Sequence, residues 1–143
     1  MANFVKSSIC SVLTILLLVV TAPLVDAAQQ VMLRNDDGSF QSYYIDGRTL
    51  DDQRSGTVTG ITSNLEWQTK AFADLDGDGN NDILLRHSSG AWYGYLIANG
   101  AVVEAGTIDI TSNAAWEFKA AKDYDGDGTT DVILRNSNNG SWF

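Results

Sequence analysis

Two short loops carry aspartates at the alternating spacing that oxygen-ligated metal sites use. Positions 1, 3, 5 and 9 of each loop are Asp74, Asp76, Asp78 and Asp82, and then Asp123, Asp125, Asp127 and Asp131. Alternate residues of a tight loop point toward one centre, and glycine at position 6 permits a turn that other residues resist. Position 7, Asn80 or Thr129, can add a main-chain carbonyl. Such a cage of hard oxygens suits Ca²⁺ with about six to eight ligands, and suits the smaller octahedral Mg²⁺ less well.

The charge density of each loop also favours a bound cation. Two carboxylates about 5 Å apart repel by roughly 3 kcal/mol at an effective dielectric of about 20, so protons or a cation must offset the charge. The alternative is a pair of exposed Asp-Gly turns without metal, but two copies in one register favour calcium. An EF-hand is excluded because position 12 is Leu85 or Leu134 instead of glutamate, and a strand pattern follows the loop.

The two loops belong to a larger internal repeat. The segment Ile-Thr-Ser-Asn at 61–64 recurs at 110–113, and a tryptophan, a lysine and an alanine precede each loop at the same distances. The offset is 49 residues, from 61 to 110 and from 74 to 123. A short apolar run ending in Leu-Arg follows each loop, and a third such run opens the region at 31–34. Repetition at this period indicates stacked structural units.

Each period predicts about four short strands and no helix. In the full period they cover residues 66–73, 83–86, 91–97 and 101–110, separated by turns rich in glycine and asparagine. The runs at 83–85 and 92–97 are apolar on both faces, which predicts a sheet covered on both sides. Four-stranded units of about 50 residues that stack in this way are typical of β-propeller blades.

These motifs together resemble the FG-GAP/VCBS repeat family. The resemblance rests on the loop Asp-x-Asp-Gly-Asp-Gly-x-x-Asp, the apolar Leu-Arg strand after it and the tryptophan strand before it. It implies integrin-alpha-like, calcium-binding propeller blades, a type found in surface and secreted proteins and in some lectins. The calcium ligands that it implies are Asp74, Asp76, Asp78, Asn80 and Asp82, and Asp123, Asp125, Asp127, Thr129 and Asp131. Residues 35–38, Asn-Asp-Asp-Gly, do not copy the loop, so no ligand is assigned to them.

The N-terminal segment has the layout of a secretory signal peptide. Lys6 is followed by an apolar stretch at 9–20 and by the small-residue site Val25-Asp26-Ala27, which predicts a signal peptide over 1–27. An uncleaved membrane anchor is the alternative, but the apolar core of about a dozen residues is shorter than the roughly 20 that a spanning helix needs. Cys10, the only cysteine, lies in this segment. We therefore expect a secreted, periplasmic or cell-surface chain without disulfides.

The remaining residues, 28–143, form the repeat region. They divide into a partial unit at about 28–60, a full repeat at about 61–109 and a partial repeat at about 110–143. The 116 residues (143 − 27) hold about 2.4 periods, whereas closed propellers need about four to eight blades. Two expectations follow: the sequence is a fragment of a longer protein, or a homo-oligomer closes the propeller by pooling blades.

Composition and residue types narrow the function. The net charge of −9 argues against a nucleic-acid partner, since phosphate binding needs a basic face. No catalytic constellation is evident, because His87 is the only histidine and is expected to be exposed. We predict an exported, calcium-binding, non-enzymatic module with a binding or structural and adhesive role toward an unknown protein or glycan. The alternatives are a lectin-like propeller and an accessory domain or fragment of a larger secreted enzyme.

Aromatic and arginine residues also recur at fixed places. Trp67 and Trp116 are predicted to pack in the core. Candidates for ligand contact, although packing is favoured for them too, are Trp92, Tyr93, Tyr95 and Trp142. Three arginines end equivalent strands, and for these a structural pairing with a loop carboxylate or carbonyl is favoured over an anion site; they are Arg34, Arg86 and Arg135.

Overall fold

The computed structural model describes residues 29–143, and every regular element in that range is a β-strand. The prediction of an all-β chain is confirmed for this range. The predicted signal peptide, 1–27, lies outside the described residues. No helix in the described part of the chain is long and apolar enough to cross a membrane.

The strands form three antiparallel sheets that follow one another along the chain. The first sheet contains β1 (Gln29–Arg34), β2 (Phe40–Asp46), β3 (Thr49–Leu50) and β4 (Gly56–Val58), with both β3 and β4 on β2. The second contains, in spatial order, β5 (Trp67–Ala73), β6 (Asp82–His87), β7 (Trp92–Ala98) and β8 (Ala101–Ile108). The third contains β9 (Trp116–Lys122) and β10 (Asp131–Asn136). An isolated bridge pairs Trp142 with Arg135 of β10.

The second sheet is the four-stranded unit that the repeat predicts. Each strand begins and ends within two residues of its predicted position. The turn between β7 and β8 is Asn99-Gly100, with φ of 51° and 75°. Both residues therefore have the positive φ of a type I′ hairpin turn, whose twist matches that of the flanking strands.

The three sheets stack face to face, with the second in the middle. Ile83 and Leu85 of β6 are fully buried in one apolar cluster with Met32 of the first sheet. Leu84 points the other way and is fully buried with Leu134 of the third sheet. Successive side chains of a strand alternate between faces, so β6 is covered on both sides, as predicted. Burial of each of these side chains contributes roughly 2 kcal/mol.

A β-bulge recurs in the strand that precedes each aspartate loop. The register between β5 and β6 skips Lys70, and the register between β9 and β10 skips Lys119. The extra residue of a bulge is left unpaired and the strand twists more strongly there. The lysines that repeat 49 residues apart (70 to 119) are therefore the bulge residues, a role that the sequence pattern did not reveal.

Two arginines connect consecutive sheets. Arg34, at the end of β1, donates hydrogen bonds to the carbonyl oxygens of Trp67 and, at 3.1 Å, Asn64. Arg86, at the end of β6, donates to the carbonyl oxygens of Trp116 and, at 3.1 Å, Asn113 in the same way. The predicted structural pairing with carbonyls is confirmed for both. Desolvation by burial lowers the pKa of Arg86.

The Ile-Thr-Ser-Asn segments form turns that position the carbonyl groups to which these arginines donate. In the second copy, Thr111 Oγ1 accepts the Asn113 N–H at 3.3 Å, and Asn113 Oδ1 accepts the Ala115 N–H at 2.9 Å. The turn brings Ser112 against Gly90, where a Cβ would lie 1.9 Å from the Ser112 carbonyl oxygen. With φ of +96°, Gly90 is also in a conformation that disfavours other residues.

The repeated aromatic residues serve mainly in packing. Trp67 and Trp116 pack against the two apolar clusters, which confirms that prediction. Of the four candidates for ligand contact, Trp92 and Tyr95 are buried, Tyr93 is half-buried and Trp142 is exposed. The expectation that His87 is exposed is wrong, because its ring is half-buried and packs at a tilt of 56° against the Trp67 ring, with centroids 4.8 Å apart.

Candidate metal centres

The first aspartate loop connects β5 to β6 and is organised around Asp74. Its Oδ1 accepts the N–H groups of Gly77 at 2.7 Å and Asp78 at 3.1 Å, and its Oδ2 accepts the Gly79 N–H at 2.8 Å. Gly77 and Gly79 have φ of 82° and 85°, so the loop needs glycine at position 4 as well as at position 6. The two glycines therefore allow the loop to fold around the Asp74 carboxylate.

Three carboxylates of this loop converge. One oxygen each of Asp74, Asp76 and Asp78 lies within 4.8 Å of the others. Loop amides orient the second and third members, since Asp76 Oδ1 accepts the Asp78 N–H at 3.1 Å and Asp78 Oδ1 accepts the Asn80 N–H at 2.7 Å. An ionised carboxylate offers about four lone-pair sites, so each retains acceptor capacity for a further ligand.

Asp82, at position 9, lies outside this cluster. Its side chain is buried, and its two oxygens accept the N–H groups of Leu75 and Ile97, both at 2.8 Å. Desolvation by burial raises the pKa of Asp82 to about 6, against the opposing effect of these two hydrogen bonds. Asp82 therefore ties the loop to the neighbouring strand β7. Its role as a calcium ligand, which the family resemblance implies, stays a prediction.

The second loop, between β9 and β10, has the same frame with a different third member. Asp123 accepts the N–H groups of Gly126 at 2.6 Å and Gly128 at 3.1 Å. Here one oxygen each of Asp123, Asp125 and Asp131 lies within 4.8 Å of the others. Asp131 accepts the Tyr124 N–H at 2.9 Å, and no counterpart of the Ile97 bond is found for it among residues 29–143.

Asp127, at position 5 of the second loop, turns toward Thr129. It accepts the Thr129 hydroxyl at 2.7 Å and the Thr129 N–H at 2.8 Å, and these bonds lower the pKa of Asp127 in that order of importance. Asn80, the equivalent of Thr129, likewise donates its side-chain amide to Asp78 at 2.8 Å. The main-chain carbonyl role of Asn80 and Thr129 stays a prediction.

The two loops lie against each other. A Cβ on Gly77 would be 3.4 Å from the Gly128 carbonyl oxygen and 3.6 Å from the Thr129 methyl carbon. The two aspartate clusters therefore sit at the same end of adjacent sheets.

The donor chemistry of both clusters fits a hard cation. Each cluster gathers three carboxylate oxygens held by backbone amides, and all six residues are exposed or half-buried. Oxygen ligands in a flexible arrangement suit Ca²⁺. The residues that could hold it in the observed arrangement are Asp74, Asp76 and Asp78 in the first loop, and Asp123, Asp125 and Asp131 in the second.

Comparison with known proteins identifies the repeat. The family described as FG-GAP-like repeat matches residues 74–134, from the first aspartate of the first loop to β10. No curated protein and no solved structure matches the chain at a significant level. The matched segment contains both loops, the whole of β6, β7, β8 and β9, and most of β10. Residues 74–134 therefore match the FG-GAP-like repeat, the family that the motifs of the sequence resemble.

Proposed function

We propose that this chain is an exported β-repeat module with two structural calcium sites and a non-catalytic binding or structural role. The observation that supports it most strongly is that three carboxylates converge in each of the two repeated loops. Both loops lie within the segment that matches the FG-GAP-like repeat. Neither feature alone carries the proposal, because exposed acidic groups are common without a metal.

The loops have a structural task in this proposal. Each connects two paired strands, and in each the first aspartate gathers backbone amides from the glycines that follow. The converging carboxylates repel one another, which opposes the folded loop. A bound Ca²⁺ would supply the compensating positive charge, so its binding free energy would add to the stability of the fold.

The stacked sheets support a propeller-type arrangement in the proposal. The second sheet has four antiparallel strands and is covered on both faces, as a propeller blade is. Signal-peptide cleavage after Ala27 would place this module outside the cytoplasm. For the carbohydrate-binding alternative, burial of Trp92 and Tyr95 leaves Tyr93 and Trp142 as the aromatic candidates for sugar contact.

Thermal unfolding with and without calcium tests the calcium sites. A ligand at about 100 times its Kd stabilises the folded state by about 2.7 kcal/mol per site. We expect Ca²⁺ to raise the midpoint temperature, Mg²⁺ to raise it less, and Asp76→Ala to remove about half of the calcium effect. The matched control is Asp52→Ala, an exposed aspartate outside both loops, which should keep the full effect. An equal midpoint in calcium and in EDTA would refute the proposal.

Export is tested separately. The chain is expressed with its native N-terminus in a secretion-competent host, and the exported product is analysed by N-terminal sequencing. We expect the mature chain to begin at Ala28. Retention of the full-length chain in the cytoplasm would contradict the export part of the proposal and leave the calcium part unaffected.

A further inference from the structure

Within the described residues, the first sheet leaves one apolar face uncovered. Val31, Leu33, Tyr43 and Ile45 lie on this side, because they alternate with residues such as Met32 that are buried against the second sheet. Val31 is 41% exposed and Leu33 is 50% exposed. We refer to these four residues as the leading face.

The leading face repeats a surface that is buried inside the chain. The residues 52 positions later (31 to 83) are, in the same order, Ile83, Leu85, Tyr95 and Ile97. All four are buried against the first sheet. The cross-strand pairing is also the same, since Val31 faces Tyr43 as Ile83 faces Tyr95. The same surface is therefore covered in the second sheet and, among residues 29–143, uncovered in the first.

The third sheet presents the matching surface at the other end. Ile133 and Arg135 alternate with Leu134, which is buried against the second sheet, so they lie on the opposite side of β10. Trp142 pairs directly with Arg135 and is 63% exposed. We refer to Ile133, Arg135 and Trp142 as the trailing face. Its counterparts in the second sheet are Leu84, Arg86 and Trp92, which pack on or bond to the third sheet.

Arg135 resembles Arg86 in its contact with an aromatic ring, although across the strands it pairs with Glu117, where Arg86 pairs with Gln68. Its guanidinium lies 5.8 Å from the Trp142 ring centroid, as that of Arg86 lies 4.8 Å from the Trp92 centroid. Arg86 then reaches carbonyl groups of the next sheet. No hydrogen-bond acceptor is found for the Arg135 guanidinium within residues 29–143.

We propose that a second copy of this chain docks head to tail, with its leading face on this trailing face and its 35–38 hairpin beside Arg135. Within a chain, Arg34 donates to the carbonyl oxygen of Trp67 in the second sheet. Trp67 pairs with His87, the first residue of the 87–90 hairpin, which is the equivalent of the 35–38 hairpin. In the first sheet no strand precedes β1 within the described residues to supply such carbonyls.

Charge complementarity selects this occupant. Asp36 and Asp37 are exposed in the 35–38 hairpin, where the second sheet has Ser88 and Ser89. Hydrogen bonds from the side chain and then the backbone of Ser39 lower the pKa of Asp37, so that it is ionised at neutral pH. In the proposed docking this hairpin borders Arg135 of the other copy, so two carboxylates lie on the side that receives the guanidinium. Opposite charges at matched positions set both the register and the choice of partner.

The interface joins two different surfaces, so it is heterologous. Such contacts close into a ring when the rotation between copies permits it, and otherwise extend as a filament. The proposal goes beyond the calcium-binding module by assigning it a partner. It depends on sheet stacking and not on bound calcium.

Charge reversal tests the docking without changing the apolar surfaces. We expect the purified chain to sediment as species larger than a dimer at high concentration. Arg135→Glu alone, and Asp36→Arg with Asp37→Arg alone, should each weaken association by about tenfold or more. An equimolar mixture of the two variants should recover assembly, because the trailing face of each variant is opposite in charge to the leading face of the other.

An apolar pair of variants provides the matched control. Leu33→Asp, on the leading face, should abolish assembly, whereas Val103→Asp, at a 63% exposed position on β8, should leave it unchanged. Circular dichroism of each variant establishes that it is folded. A wild-type monomer at high concentration, or unchanged assembly of Arg135→Glu, would overturn the proposal. So would a mixture that stays monomeric. Calcium titration of the same samples reports on the loops alone, so failure of one proposal is distinguishable from failure of the other.

Discussion

The connecting arginine Arg86 allows the stacking of the sheets to be tested quantitatively. Arg86→Met keeps most of the apolar stem and removes the guanidinium that bonds to Trp116 and Asn113. Each bond from this charged, half-buried donor contributes about 1.5 kcal/mol. The contact with the Trp92 ring adds about 0.5 kcal/mol, and the 3.4 Å approach to the Gly90 carbonyl adds little. We therefore expect a loss of about 3.5 kcal/mol in the free energy of unfolding.

Urea denaturation, followed by tryptophan fluorescence at protein concentrations low enough to keep the chain monomeric, measures this loss. Arg135→Met is the matched control, since Arg135 ends the equivalent strand and has no carbonyl partner in the described residues; it should cost about 0.5 kcal/mol or less. Arg86→Lys should fall between the two, because an ammonium cannot bridge two carbonyls with the fixed fork of a guanidinium. Equal stabilities of Arg86→Met and Arg135→Met, within about 0.5 kcal/mol, would show that Arg86 does not hold the second and third sheets together.

Two further predictions concern backbone contacts. Gly90→Ala should destabilise the chain by more than about 2 kcal/mol in urea denaturation, because its Cβ would clash with the Ser112 carbonyl at 1.9 Å and its φ is +96°. Gly47→Ala, with φ of +58° and open space, should cost only about 1 kcal/mol, and equal losses would contradict this account. In calcium-free buffer, Asp82→Ala should cost about 2 kcal/mol more than Asp131→Ala, because it also leaves the buried Ile97 amide without its acceptor, whereas the Leu75 bond has a counterpart in the Tyr124 bond of Asp131. The reverse order of stabilities would show that Asp82 does not hold the loop to β7.

The strands and turns of the second sheet are predictable because their determinants are local. Short runs of β-branched and aromatic residues define the strands, and Asn99-Gly100 encodes its own hairpin turn. The stacking of the sheets is predictable for a related reason. A strand such as β6 that is apolar on both faces must be covered on both faces, whatever covers it.

The contacts between sheets are not predictable in the same way. Gly90 and Arg86 recur with a clear period, but their partners, Ser112 and Asn113, lie more than 20 residues away in the chain (90 to 112, 86 to 113). The repeated Ile-Thr-Ser-Asn segment is visible in the sequence. Its contacts with the arginine and glycine of the preceding sheet are visible only in the stacked sheets. Lys70 and Lys119 likewise recur in the sequence, but their place in β-bulges is visible only in the pairing of the strands.

The aspartate loops show where spacing alone is insufficient. The pattern treats positions 1, 3, 5 and 9 alike, and it correctly brings Asp74, Asp76 and Asp78 together. It cannot distinguish Asp82, whose orientation depends on the Ile97 amide of a strand 15 residues further along. In the second loop, no such bond to Asp131 is found within residues 29–143, and its carboxylate joins the cluster.

The central claim is that each aspartate loop holds one calcium ion, and calorimetric titration of the calcium-free chain tests it most directly. We expect saturable binding of two Ca²⁺ per chain. Asp74→Ala and Asp123→Ala should each reduce this to one, since each removes the carboxylate around which its loop is organised. Absence of saturable calcium binding, or an unchanged stoichiometry in both variants, would contradict the claim.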